Sequence, residues 1–400
     1  MERLIEQILN HKELAALPTL LEGGGLPALI SGLSAVHRAN LAAALRLKLE
    51  KPLFVVCPDD TAAENFARDL RSMLREPVET LLLRDFSFLP AEAVSRRVEQ
   101  QRLNTFSALL NGTAKIAVAS ISALMERTLP PETLRQAALT VSADGTYDPE
   151  ELEAALIRCG YERTEQVEGP GQFARRGGIL DLVSPAEEQP VRMEFWGDEI
   201  DSMGYFDVSS QRRDEQVTEV RILPAAEALA ALAPGGPDAV AEKIESLAAR
   251  FEKRRNSASA AKQAASMRAA AEKIREGFAL TDLDCWLPVL YEPATGFDYI
   301  PEDAFVFLDQ PTRCGELARD WQKQLTDELR LLQKDGLCPF EAGSFCFPAE
   351  ELWKQLDGWP VYAGDAFTLG RGGFRPKTLL SIAAKQLPSY AGNAQAAATT

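Results

Sequence analysis

The run Ala28-Leu29-Ile30-Ser31-Gly32, continuing through Leu33-Ser34-Ala35-Val36-His37-Arg38-Ala39-Asn40, constrains the fold more than any other stretch of the chain. A short apolar run stops at a glycine and passes into helical spacing, with Leu41, Leu45 and Leu49 four apart on one face. That is a strand-turn-helix unit of a parallel α/β sheet. In Gly-x-x-x-x-Gly-Lys-Ser/Thr the same frame wraps a phosphate in backbone amides, reaches it with Lys and ligates Mg²⁺ with the hydroxyl. Counted from Gly32, the last three of those positions hold His37, Arg38 and Ala39. Arg is not a compact ammonium and Ala offers a metal no oxygen, so the frame is kept without its phosphate grip. On these residues alone an ordinary Gly-containing turn fits equally well.

The alternation continues to residue 124. Ala28–Ile30, Leu53–Cys57, Val78–Leu83 and Lys115–Ser120 are short apolar runs of the kind buried in a parallel sheet. Between them a capping box at Thr61-Ala62-Ala63-Glu64 opens a helix whose apolar face is Ala63, Phe66, Ala67 and Leu70, and a second helix spans about Arg96–Leu110. The expected fold is a doubly wound α/β domain. Beyond 124 the pattern changes. A helix over Leu152–Tyr161 precedes Gly169-Pro170-Gly171 and a run of antiparallel strands, Ile179–Ser184, Val191–Trp196 and Gly197–Phe206. Residues 235–278 read as two Ala-rich helices, after which Phe305-Val306-Phe307-Leu308-Asp309 resumes the first domain. The expected organisation is therefore 1–124 and 213–380 as two parts of one ATPase-like parallel-sheet domain, with 125–212 as an inserted antiparallel α+β domain and 381–400 as a linker.

Charge and composition exclude several functions. A formal net charge of −16 opposes broad electrostatic binding to nucleic acid, which depends on cations displacing counterions. The six cysteines (Cys57, Cys159, Cys285, Cys314, Cys338, Cys346) form no Cys-x-x-Cys pair, and the two histidines, His11 and His37, have no metal-ligand companion. Reduced thiols, an N-terminus unlike a secretory signal and the lack of a ~20-residue apolar run point to a cytoplasmic protein with no membrane contact.

Two places hold candidate chemistry. Phe305–Asp309 followed by Gln310 has the form of a Walker B strand, whose Asp holds the Mg²⁺ shell and whose next residue, a Glu in hydrolases, polarises the attacking water. Gln310 cannot accept that proton, although a plain buried strand ending in Asp also fits. The second place is the strand Val191–Trp196. Alternation puts Val191, Met193 and Phe195 on the core face and Arg192, Glu194 and Trp196 on the other, with Arg192 and Trp196 ~13 Å apart along the strand. Exposed Arg and Trp are enriched in binding hot spots, and Arg175 and Arg176 stand at the neighbouring strand to join them. Trp196 also fits as a cover for a sheet edge.

Gly171–Leu182, Pro190–Ser202 and Phe206-Asp207-Val208 closely resemble the UvrA-binding domain shared by UvrB and the transcription-repair coupling factors. Gln211-Arg212, Tyr299–Ala304 ahead of Asp309, and Ala384–Tyr390 are more similar to the coupling factors. The resemblance implies a UvrB-like module in which a degenerate ATPase frame is split by the UvrA-binding domain. It carries UvrA contacts onto Arg176, Arg192 and the aromatic position Trp196, where the family more often has Phe. The degenerate nucleotide site would comprise Gly32, His37, Arg38, Ala39, Asp309 and Gln310. By the same resemblance this stretch is noncatalytic and binds no cofactor. RNA polymerase, double-stranded DNA, ATP and Mg²⁺ would be handled by further domains of a DNA translocase. The alternative is a UvrB-like damage-recognition ATPase, but that family keeps Gly-Lys-Thr and a DNA-clamping hairpin, for which Arg84–Pro90 leaves no room.

Overall fold

The computed structural model describes residues 5, 7–89, 95–187, 189–254, 258–278, 280, 282–367 and 373–382. Numbered along the chain, β1 (Ala28–Ser31), β2 (Leu53–Cys57), β3 (Glu79–Leu81) and β4 (Ile116–Ser120) come first. Next are β5 (Arg127–Thr128), β6 (Leu139–Ser142), β7 (Glu162–Arg163), β8 (Gln172–Arg176), β9 (Ile179–Val183), β10 (Val191–Trp196), β11 (Glu199–Phe206), β12 (Arg213–Gln216) and β13 (Glu219–Ile222). The chain then adds β14 (Ala294–Thr295), β15 (Phe305–Asp309), β16 (Val361–Gly364) and β17 (Thr378–Ser381).

Seven of these strands form one parallel sheet in the order β17-β1-β16-β15-β2-β4-β3. Its strands read as unbroken apolar runs because both faces are covered. Ile30, Val55, Val118 and Phe307 pack on one side with Leu41, Leu45, Phe66 and Leu70 of the helices Ala35–Leu49 and Asp60–Met73. Leu29, Val56, Ala119 and Leu308 pack on the other with Leu103, Phe106 and the helical hairpin Gly236–Arg254 and Ala258–Arg275. The doubly wound expectation holds, with β15 in the middle of the sheet although 184 residues separate β4 from it in sequence.

Several local expectations are corrected. The helix after β2 is capped by Asp59, whose carboxylate accepts from the Ala62 amide at 2.8 Å, so the chain enters it two residues before Thr61. β3 is shorter than Val78–Leu83 because Asp60 takes the Leu83 amide out of the ladder. β17 pairs with β1 through Ser381, one residue past the expected end of the frame at 380, while residues 383–400 lie outside the described residues.

The insertion is a six-stranded sheet in the order β12-β11-β10-β9-β8-β7, antiparallel except for β7 with β8. Helix Pro149–Arg158 and the antiparallel pair β6–β13 close its core face over Phe173, Leu180, Leu182, Val191, Met193 and Met203. β12 and β13 thus hydrogen-bond within the insertion, past the expected boundary at 212. At the other boundary, β5 pairs with β14 and Leu134 packs in the frame's core, so residues 125–134 side with the frame.

Candidate functional site: a closed nucleotide position and an open arginine–tryptophan face

At the P-loop position the helix already begins at Ala35, which leaves Gly32, Leu33 and Ser34 as the whole connection from β1. His37 and Arg38, counted above as loop residues, are helical, and so few residues cannot wrap a phosphate. Gly32 has φ +84°, and a Cβ there would meet the Ile382 carbonyl oxygen at 1.9 Å. The end of β17 therefore lies over the turn, and only glycine lets the two backbones come this close.

Arg38 is buried and points inward, where its Nε donates to Asp309 Oδ1 and its Nη1 donates to the Leu33 carbonyl at 2.9 Å. The residues at the P-loop Lys position and the Walker B Asp position are thus joined to each other, 271 positions apart. Gln310 caps the helix Pro311–Lys334 with φ +51°, and its side-chain amide donates to Asp309 Oδ2 at 3.3 Å. Burial pushes the Asp309 carboxyl above the usual carboxylate range, with Arg38 and Gln310 pulling it back. His37 Nδ1 lies 3.1 Å from the Ser34 hydroxyl, and Ala39 is buried in the helix–sheet core. The arrangement brings Arg38, Asp309 and Gln310 together, with the side chain at the P-loop Lys position engaged by the carboxylate at the Walker B Asp position.

A second buried ionic cluster, unseen in the sequence, sits where the chain returns from the insertion. Glu227 accepts from Arg102 Nε at 2.8 Å and from the Thr128 hydroxyl at 2.5 Å. Its amide donates to Glu99 at 2.6 Å, while Arg102 Nη1 meets Glu126 at 3.0 Å and Arg84 Nη1 meets Asp284 at 3.0 Å. Four carboxyl groups thus share two buried arginines, and burial pushes Glu126 up to about 8. Nothing in the local sequence marks these residues, since they come from five separate segments.

On the insertion, opposed residues of an antiparallel ladder share a face. Asp181 faces Arg192 across β9–β10 and Ala174 across β8–β9, and Ile179 faces Glu194 and Arg176. Ala174, Arg176, Ile179, Asp181, Arg192, Glu194 and Trp196 therefore lie on the face opposite the helix. Trp196 ends β10 at the tight turn Gly197-Asp198 and is 83% exposed. It covers neither a sheet edge nor a helix. Arg175 points to the other face and donates to Glu153 at 3.1 Å, so it does not join the surface.

Arg192 departs from the solvent-facing expectation, with a side chain only 11% exposed. It donates from Nε and Nη2 to both oxygens of Asp181 at 2.6 and 2.8 Å, reaches Gln211 Oε1 at 2.7 Å, and lies 4.3 Å from the centre of the Phe206 ring. Those bonds hold its guanidinium more strongly protonated still, with the Asp181 hydrogen bond as the main cause. Arg176 gives one nitrogen to Asp181 Oδ2 at 2.7 Å and stays 49% exposed. Glu194, the remaining acid, is taken up by Arg213 at 2.6 Å and Ser202 at 3.1 Å.

Among the described residues there is no His/Cys/Asp/Glu group arranged to hold a metal, and no helix is long and apolar enough to cross a membrane. A family model described as the UvrB interaction domain matches residues 139–227, the segment that folds as the insertion. Curated relatives extend over most of the chain. It is 30% identical to a transcription-repair-coupling factor of Bacillus subtilis over 77% of the chain and 26% of that protein. It is 32% identical to one from Myxococcus xanthus over 70% of the chain and 24% of that protein, and 25% identical to the Escherichia coli protein over 86% and 29%. The chain spans about a quarter of the length of the curated relatives it matches. It is a homologue of transcription-repair-coupling factors over that quarter, and residues 139–227 are its UvrB interaction domain.

Proposed function

We propose that this chain is a noncatalytic recruiting module for UvrA in transcription-coupled nucleotide excision repair, with Arg176, Arg192 and Trp196 as the docking surface. The observation that carries this reading is Trp196, a large aromatic left 83% exposed beside a fixed pair of arginines on the UvrB interaction domain. An indole fills an apolar pocket on a partner while guanidinium forks pair with its carboxylate or carbonyl oxygens. The parallel-sheet frame serves as a rigid support for that surface and turns over no nucleotide, because Arg38 occupies the position where a phosphate would need a free cation. In the longer protein the module acts in the cytoplasm beside domains that use ATP and Mg²⁺, engage RNA polymerase and double-stranded DNA, and displace the polymerase.

Titration calorimetry of the chain against UvrA tests the reading. Trp196→Ala is expected to weaken binding by about 2 kcal/mol, and Arg176→Ala by a comparable amount. Unchanged affinity for both variants would remove the surface from the assignment. Saturable Mg²⁺-ATP binding with turnover would instead favour a UvrB-like damage-recognition ATPase.

A further inference from the structure

We infer that Asp181 is a positioning residue of the docking face: it aims Arg176 and locks Arg192, so that the face of Arg176, Arg192 and Trp196 meets the partner with its guanidiniums already oriented. The inference deepens the recruiting reading and rests on it for the identity of the partner. Its geometry stands independently of that identity.

Asp181 sits in the middle strand of the face, with a side chain 2% exposed, and gives both oxygens to arginines. Oδ1 accepts from Arg192 Nε, while Oδ2 accepts from Arg192 Nη2 and Arg176 Nη2. A carboxylate held this way fixes the planes of the guanidiniums as well as neutralising charge. Arg192 is fixed from the other side as well. Gln211, at φ +59°, donates from its side-chain amide to the Val208 carbonyl at 2.8 Å and presents its oxygen to Arg192, and the Phe206 ring lies against the guanidinium. Few degrees of freedom remain to Arg192. Arg176 is tied by one nitrogen, and the rest of its fork faces solvent on the same face as Trp196.

Counting charges gives the discriminating sign. Within the Asp181 cluster two arginines and one aspartate leave a surplus of one positive charge, Glu194 is matched by Arg213, and Glu199 stands opposite Trp196. If charge alone governed docking, Asp181→Asn would raise the surplus to two and tighten binding to an acidic surface. If Asp181 positions, the same change weakens binding even though the face becomes more positive, because Arg176 must then be ordered at the moment of contact.

The experiment uses the chain as it stands, with isothermal titration against UvrA and ¹⁵N relaxation of the arginine Nε groups. For Asp181→Asn we expect about a tenfold loss of affinity, greater mobility of the Arg176 guanidinium, and little further loss when Arg176→Ala is added, since the two act as one unit. Arg192→Lys keeps the charge but cannot bridge Asp181 and Gln211 together, so it should lose affinity at an unchanged salt dependence. It also provides the test if Asp181→Asn fails to fold. Tighter binding by Asp181→Asn, or equal Arg176 mobility with and without Asp181, would overturn the inference. Should UvrA not bind the native chain while Arg176 is still ordered by Asp181, the choice of partner falls and the positioning stands.

Discussion

Arg38 with Asp309 in the frame and Arg176 and Arg192 with Asp181 in the insertion are the same chemistry in two settings. Each sets guanidinium against a buried carboxylate at the working position of its domain. In the frame Arg38 packs against Gly364 and donates to the Leu33 carbonyl, and the pair is buried. In the insertion the carboxylate is just as buried, but one of its two arginines reaches solvent beside an exposed indole. The difference lies in number and position. One arginine per carboxylate closes a site, whereas two, with one at the rim, leave donors for a partner. The same residue types thus form a closed pair in one domain and a partly open cluster in the other.

The largest expected effect comes from opening the closed pair. Arg38→Ala leaves Asp309 in the sheet core without its counter-charge, a class of change that costs about 3–5 kcal/mol. Removing the acid as well, as in Arg38→Met with Asp309→Leu, should return most of the loss, because a well-packed apolar pair can replace a buried ion pair. Urea denaturation of the three proteins checks this. A stable Arg38→Ala that gained Mg²⁺-ATP binding would break the comparison, since Arg38 would then be a removable plug in a working site.

Much of this contrast could be read from the chain before any coordinates, and the part that could not has a common cause. β2 and β15 are visible because strands buried on both faces are continuously apolar, and alternation along β10 places Trp196 on the face away from the core, with a sheet-edge cover left open until the structure shows it exposed. The departure from the Lys-Ser/Thr pair is legible at Arg38 and Ala39. That Arg38 is bonded to Asp309 is not, because the two meet only when β15 enters the sheet beside β2. Alternation likewise placed Arg192 on the right face but said nothing of its burial. The cover comes from Phe206 and Gln211, on the next strand and its following turn. Asp181 escaped notice because one Asp within an apolar strand carries no motif. Thr61 was taken as the cap because a Ser/Thr-x-x-Glu pattern ignores an Asp two residues earlier.

A second, smaller effect separates frame from face by pH. Glu126 is fully buried at the return joint and held up at about 8, against an ordinary value of 4.5. The folded state therefore binds this proton more tightly than the unfolded state. The resulting stability is full below about pH 4.5 and is lost as pH rises through about 8. Glu126→Gln imitates the protonated form. It should match the native protein below about pH 4.5 and exceed it by a growing margin as pH rises to about 8, read from urea midpoints between about pH 4 and 9. A constant difference between the two proteins would mean that Glu126 is ionised throughout, with the two arginines sufficient for all four acids.

The smallest expected effect is the loss of the most conspicuous side chain. Trp196 stands 83% exposed at the end of β10, past Glu194, the last residue of that strand to pair with β9. Trp196→Ala removes contact area that water already reaches, leaves Gly197 free to make the turn at φ +64°, and should change unfolding stability by no more than about 0.5 kcal/mol. Thermal unfolding followed by circular dichroism gives the value directly. A fall in the midpoint beyond about 4 °C would mean that the indole packs on its own sheet in solution. The open face would then be partly closed, and closer in kind to the buried pair at Arg38. An unchanged midpoint combined with weakened UvrA binding would assign the indole to the partner alone, because a side chain that supports neither core nor edge has no other apolar surface to cover.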